Sequence, residues 1–83
     1  MLTHKLRFFY KGPIENFSVE KCTGYKESNM YINLENYESL SPISWFGDMK
    51  SFKFGMLVMN SGILYCMKEE EYEKLLSVIS PMD

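Results

Sequence analysis

Long apolar runs are missing from this sequence, and none approaches the roughly 20 consecutive apolar residues of a membrane-spanning helix. The N-terminus also lacks the apolar stretch that a secretory signal peptide requires. Cysteine is scarce: Cys22 and Cys66 form no CxxC motif and both lie in predicted strands, so we expect buried, reduced thiols. Together these features predict a cytoplasmic protein without a membrane segment.

Residues that bind metals or transfer protons are scarce too. His4 is the single histidine, and the only aspartates are Asp48 and Asp83. Because thiolate and imidazole ligands of a metal normally occur in close spacing, we expect no metal site. His4 also shares the inward parity of its predicted strand, which favours a buried, hydrogen-bonded histidine.

Catalytic motifs are missing as well. The sequence contains no G-x-S-x-G turn, and its five glycines are scattered singly rather than grouped in a phosphate-binding loop. We therefore expect a protein that is not an enzyme and needs no cofactor. The weaker alternative is an enzyme in which His4 acts with Cys22 or Cys66.

Apolar residues, in contrast, are abundant for so short a chain. At 83 residues the sequence predicts a single domain, 1–83, with one modest core. Apolar residues make up 46% and aromatic residues 16% of the chain, which is more than a small domain can bury. The composition therefore predicts an exposed apolar surface that binds a partner or another copy of the chain. A charged fraction of 24% argues against disorder.

The most regular stretch covers residues 54–79. Two apolar runs, 54–59 and 63–67, flank the tripeptide Asn60-Ser61-Gly62, and a three-residue loop that ends in glycine is typical of an antiparallel hairpin. A helix is expected to follow, with one apolar face and a stop at Ser80-Pro81. That face consists of Tyr72, Leu75, Leu76 and Ile79.

Three further strands are predicted upstream. Residues 2–11 alternate between two faces and predict the first strand, while 17–25 and 30–34 predict the second and third. The inward residues of the first strand are Leu2, His4, Leu6, Phe8 and Tyr10, and those of the third are Met30, Ile32 and Leu34. Residues 35–51 show no periodicity and predict a long irregular connection with room for a helical turn at 37–40.

These elements predict an α+β fold, a small antiparallel β-meander of about five strands with one C-terminal amphipathic helix packed on it. A single short helix cannot cover both faces of such a sheet. Either the sheet curls into a partial barrel, or a second copy of the chain covers the bare face. We accordingly expect a homo-oligomer, a dimer or larger.

Basic residues are concentrated in two segments. Residues 1–11 and 50–68 each carry a net charge of +3, whereas 12–49 and 69–83 each carry −4. If the first and fourth strands are neighbours, a basic patch beside aromatic rings can hold a phosphate and stack a base. The alternative is a solvated face whose lysines guard a sheet edge. The predicted ligand-binding residues are Lys5, Arg7, Lys11, Lys50 and Lys53.

Aromatic residues dominate the predicted connection. The partner-binding residues that we predict in this connection and directly after it are Tyr37, Trp45, Phe46, Asp48 and Phe52. Tryptophan and tyrosine contribute much of the binding energy of protein interfaces, which favours a protein-binding role for this loop. The alternative is that Trp45 and Phe46 close the open end of a small sheet.

Two functions are therefore open. The first is a non-enzymatic interaction protein, an oligomeric inhibitor or regulator that binds a protein partner through the aromatic loop. Its short chain, which begins with Met, suits an anti-defence inhibitor from a phage or mobile element. The second is a small-ligand binder, or a sponge for a nucleotide second messenger, that uses the basic strand face and aromatic stacking. Duplex DNA is not expected as a ligand, because the net charge is −2.

Overall fold

The computed structural model describes residues 3–22, 26–47 and 50–79, and of Val19, Trp45 and Lys50 the backbone alone. The strands in this part of the chain are β1 (Thr3–Phe8), β2 (Tyr10–Pro13), β3 (Ser28–Asn33), β4 (Tyr37–Gly47), β5 (Lys50–Met59) and β6 (Ile63–Lys68). They are followed by the helix α1 (Glu69–Ile79). Short 3-10 helices span Ile14–Asn16, Val19–Cys22 and Leu34–Asn36.

The six described strands pair in antiparallel fashion and form two sheets. β4, β5 and β6 form a meander, and β2 pairs with the other edge of β6, so that the strand order is β2-β6-β5-β4. β1 pairs separately with β3. α1 packs on β5 and β6 and also contacts β1 and β4. The predicted α+β architecture is confirmed, with six strands in place of about five.

The predicted hairpin and helix are present. Gly62 has a φ of 91°, a left-handed conformation that glycine adopts without strain, and its N–H donates to the Met59 carbonyl oxygen at 2.9 Å. Leu75 of α1 is fully buried. A Cβ atom on Gly55 would collide with the Cβ of Tyr72, so the close approach of α1 to β5 requires a glycine at this position.

The predicted first strand is divided at Phe9. β1 pairs with β3 and β2 pairs with β6, and the Phe9 N–H donates to the Cys66 carbonyl oxygen at 2.7 Å where the chain passes between the sheets. Leu6 and Phe8 are buried in one cluster and Tyr10 in another. The prediction of buried side chains is therefore right for these three residues, but the bend at Phe9 prevents them from sharing one face.

The predicted second strand, residues 17–25, is wrong. Residues 19–22 form a 3-10 helix, and 23–25 lie outside the described residues. A disulfide bond joins Cys22 to Cys66, so the prediction of reduced thiols is also wrong. The bond holds Cys22 in a buried cluster with Phe54, Val58 and Leu64. The third strand is confirmed, with Ile32 buried as expected.

The predicted irregular connection, residues 35–51, is wrong as well. After a 3-10 turn the chain forms β4 and the start of β5, which pair from Tyr37 opposite Met59 to Gly47 opposite Lys50. Two features of β4 disrupt the alternation that would predict a strand from the sequence. One is a register shift just after Tyr37, and the other is Pro42. Both fit an edge strand, because β4 is the last strand in the described order β2-β6-β5-β4 and pairs with a described strand on one side alone.

Two buried clusters lie on opposite faces of the four-stranded sheet. The helix-side cluster consists of Leu6, Phe8, Ile32, Leu34, Leu57, Tyr65, Met67 and Leu75. The disulfide-side cluster consists of Tyr10, Cys22, Phe54, Val58, Leu64 and Cys66. α1 and the β1–β3 pair cover the first cluster, whereas the second is covered in part by Phe9, Phe17 and the disulfide-bonded segment.

Candidate functional site

β4 and β5 extend beyond the rest of the sheet as a two-stranded ribbon. The pairing of β5 with β6 starts at Phe54 opposite Lys68, so residues 50–53 pair with β4 alone. We call residues 44–47 and 50–53 the distal ribbon. Phe46, near its tip, is 68% exposed. A ribbon of two strands has little stability of its own, and this one presents a large aromatic side chain to solvent.

A row of three phenylalanines runs from the base of the distal ribbon across the disulfide side of the sheet. The rings of Phe52 and Phe54 are stacked with centroids 6.2 Å apart and planes at 6°. Phe9 meets Phe54 edge-on at 6.1 Å. We call Phe9, Phe54 and Phe52 the aromatic row. Phe54 is buried, whereas the other two are partly exposed, so the row presents an apolar surface.

The predicted partner-binding residues are divided between the two ends of β4. Tyr37 lies opposite Met59 and packs against the helix-side cluster. Phe46 and Phe52 lie in the distal ribbon, at adjacent ladder positions, and therefore project from opposite faces. The backbone of Trp45 pairs with Phe52, and its side chain lies outside the described part, as does Asp48 entirely.

The predicted phosphate-binding residues do not form one patch. β6 lies between β2 and β5, so the strands that carry Lys11 and Lys53 are not neighbours. Lys5 and Arg7 share a face of β1, whereas Lys11 lies beyond the bend, opposite Tyr65. The side chain of Lys50 lies outside the described part of the chain.

A smaller basic site does form around Lys5 and Arg7. A polar cleft of about 180 Å³ is lined by Lys5, Arg7, Asn29, Glu71 and Lys74. α1 supplies Lys74, whose proximity to β1 the sequence does not reveal. Tyr31 lies directly opposite Lys5 in the β1–β3 pair and is 71% exposed. In the sequence, Tyr31 alternates with the inward residues Met30 and Ile32, and this alternation was the signal for an exposed ring on the outer face of the strand.

The disulfide bond changes what the cysteines can do. Cys22 and Cys66 are bonded to each other, so neither thiol can serve as the nucleophile of the His4–cysteine alternative. The segment that the bond holds is packed by aromatic contacts: the rings of Tyr10 and Phe17 lie 5.6 Å apart, and the Lys21 ammonium lies 5.2 Å from the Tyr10 centroid. The bond thus shapes the surface beside the aromatic row.

Other polar groups give little indication of chemistry. Among residues 3–22, 26–47 and 50–79, no group of three His, Cys, Asp or Glu side chains could hold a metal ion. The Nε2 atom of His4 is buried without a hydrogen-bond partner. The Oε2 atom of Glu27 is also buried without a hydrogen-bond partner, while its Oε1 atom lies 3.6 Å from the Lys68 ammonium.

No family model, no curated protein and no solved structure matches this chain. Within the described residues, no helix has the length and apolar character needed to cross a membrane.

Proposed function

We propose that this chain is a non-enzymatic interaction protein, an oligomeric inhibitor or regulator that binds a protein partner through the distal ribbon. The observation that supports this most directly is the 68% exposure of Phe46 near the end of a protruding pair of strands. Aromatic side chains in such positions are typical anchors of protein interfaces. The partly exposed Phe52 lies on the opposite face of the ribbon and belongs to the aromatic row.

The disulfide bond bears on the cellular compartment in which the proposed function would take place. Thiols are kept reduced in the cytosol, where structural disulfides are rare. The Cys22–Cys66 bond therefore favours an oxidising compartment over the cytoplasm that the sequence predicted. If the chain is an anti-defence inhibitor from a phage or mobile element, its partner is a host protein that is accessible in an oxidising environment.

The partner-binding proposal is tested by affinity capture with two matched aromatic variants. Phe46→Ala removes an exposed ring from the distal ribbon, and Tyr31→Ala removes one from β3 that is 71% exposed. Neither ring is buried, so both variants are expected to keep the melting temperature of the wild type. We expect Phe46→Ala to weaken binding of the captured protein about tenfold or more, and Tyr31→Ala to leave it unchanged. Equal capture by Phe46→Ala and wild type would contradict the proposal.

We propose that oligomer formation uses the aromatic row. This surface combines Phe9 and Phe52 with the partly buried Ile43 and Met56, and a second copy of the chain would bury it. Native mass spectrometry of the disulfide-bonded protein is expected to show at least twice the 9.8 kDa chain mass. Ile43→Lys is expected to give monomers, whereas Ser44→Lys on the other face of β4 keeps the oligomer. A monomeric wild type would contradict this part of the proposal.

The polar cleft supports a second candidate, a binder of a nucleotide second messenger. Lys5, Arg7 and Lys74 can hold a phosphate, and the exposed Tyr31 ring lies next to Lys5 for stacking on a base. Glu71 in the same cleft opposes anion binding, which is why this function ranks second.

This candidate is tested with cyclic AMP and cyclic di-GMP in thermal unfolding. A ligand that binds the folded state raises the melting temperature, and Arg7→Ala should abolish that shift while Lys53→Ala retains it. An unchanged melting temperature of the wild type at millimolar concentrations of both nucleotides would exclude them as ligands.

A further inference from the structure

A larger cleft, of about 340 Å³, opens between β3 and the β5–β6 hairpin. Its walls come from β2, from β3 and the turn that follows, and from both strands of the hairpin. We propose that this cleft binds a small organic anion, an apolar group that carries one carboxylate or phosphate. The larger cleft shares no lining residue with the polar cleft, although it is also lined by Tyr31, the stacking ring of the second candidate function. It does not depend on the partner-binding proposal.

The floor of the cleft is apolar. Met30 and Ile32 line it from β3, and Met59, Ile63 and Tyr65 line it from the hairpin. Ile32 and Tyr65 are buried members of the helix-side cluster, against which the other three pack. The cleft is thus an opening into the helix-side core. Its volume lies within the range of small-ligand pockets, about 300–1,000 Å³, and its apolar lining favours a ligand with an apolar group.

The charge of the cleft favours an anion. Lys11 is among its lining residues, and none of those residues is an aspartate or glutamate. Lys11 pairs with Tyr65 across β2 and β6, so its side chain shares a face with the apolar floor. An ammonium beside apolar surface attracts an anion more strongly than the same group in open water, because the local dielectric constant is lower.

The rim of the cleft also carries neutral hydrogen-bonding groups. Asn33, Asn36 and Ser61 line it. The Oδ1 atom of Asn33 accepts a hydrogen bond from the Glu35 N–H at 2.9 Å, so the Asn33 amide NH₂ is the group that can donate to a ligand. The Asn36 carbonyl oxygen accepts from the Asn60 N–H at 2.8 Å, which joins the turn after β3 to the hairpin. The rim is therefore already held in place before a ligand binds.

The test compares charged and neutral members of two ligand pairs by NMR titration of the ¹⁵N-labelled, disulfide-bonded chain. Indole-3-acetate is paired with indole-3-acetamide, and AMP with adenosine. We expect the anion of at least one pair to bind about tenfold more tightly than its neutral partner, with shifted amide signals from β3 and the hairpin. A preference within the indole pair identifies a carboxylate ligand, and one within the adenosine pair identifies a phosphate ligand.

Three variants of Lys11 and Arg7 show which cation causes the preference for the anion over its neutral partner. Lys11 is exposed, so Lys11→Gln should leave the fold intact and remove the tenfold preference, while Lys11→Arg should retain it. Arg7→Gln removes a cation of the polar cleft and should have no effect. The proposal is overturned if neither anion binds at concentrations up to about 5 mM, or if Lys11→Gln keeps the preference. Loss of the preference in Arg7→Gln would also overturn it, since binding would then belong to the polar cleft.

Discussion

Tyr65 lies where the two sheets and the larger cleft meet. Its ring packs edge-on against Phe8 with a centroid distance of 5.3 Å, and Lys11 lies opposite it on β2. The residue is 6% exposed, and this burial raises the pKa of the Tyr65 hydroxyl above its ordinary value of 10.0 because a buried phenolate loses hydration. The folded state therefore holds the phenolic proton more tightly than the unfolded state does.

This raised pKa makes stability depend on pH in the alkaline range. The contribution of Tyr65 is fully present below pH 10.0 and is lost as the pH rises through the folded-state pKa. Tyr65→Phe lacks the proton, so we expect wild type to lose stability relative to this variant between about pH 8 and about pH 11. Urea unfolding at both pH values measures the difference. An equal difference at the two values would show that the hydroxyl is not desolvated.

At the scale of elements, α1 is held by one fully buried leucine and a close contact with β5. Leu75 is 0% exposed, whereas its neighbour Leu76 is 38% exposed, although both belong to the apolar face that helical spacing predicts. Tyr72 lies over Gly55. The helix has glutamates at all three of its first positions, where the helix dipole favours negative charge. Packing against the sheet, more than local propensity, therefore keeps this helix in place.

The two leucines provide a matched pair of substitutions. Leu75→Ala is expected to lower the free energy of unfolding by about 2–5 kcal/mol, because it leaves a cavity beneath α1. Leu76→Ala changes the helix propensity equally, yet should cost less than about 1 kcal/mol because much of the side chain is in water. Chemical denaturation of the two variants measures both values. Similar losses would mean that α1 does not dock in the observed orientation.

At the scale of the whole molecule, the disulfide bond connects the early part of the chain to the last strand. Cys22 and Cys66 are separated by 44 residues, and their bond closes a loop that contains β3, β4 and β5. Such a loop lowers the conformational entropy of the unfolded chain. The molecule measures 41 × 27 × 19 Å, so it is elongated, and a small elongated domain can bury only a limited share of its apolar residues. A covalent link suits a domain of this size.

Breaking this link should destabilise the fold measurably. We expect reduction with dithiothreitol to lower the free energy of unfolding by about 2–4 kcal/mol. The double variant Cys22→Ala/Cys66→Ala should match the reduced wild type and show no response to the reductant. Denaturant unfolding with and without dithiothreitol provides the comparison. If wild type and double variant are equally stable under oxidising conditions, the bond does not contribute to stability.

The sequence predicted the elements whose signals are local. The Asn60-Ser61-Gly62 turn, the spacing of Tyr72 and Leu75, and the alternation in β1 each depend on neighbours within a few residues. It failed for β4 and for residues 17–25, where the structure depends on distant partners. Pro42 disrupts the pattern of β4, and that strand is stabilised by its pairing with β5. The polar cleft was predicted in part, through Lys5 and Arg7, while the contribution of Lys74 was not.

By itself, the amino-acid sequence determined the α+β class, the closing hairpin and its covering helix, because turn geometry and amphipathic spacing act over short distances. Tertiary structure alone decided which strands are neighbours, which residues form a site, and that Cys22 meets Cys66. The bend at Phe9 turns Lys11 away from Lys5 and Arg7 and places it beside the larger cleft. The position of such a bend follows from the pairing of β1 with β3 and of β2 with β6, and the alternation within a strand does not show which distant strand it pairs with.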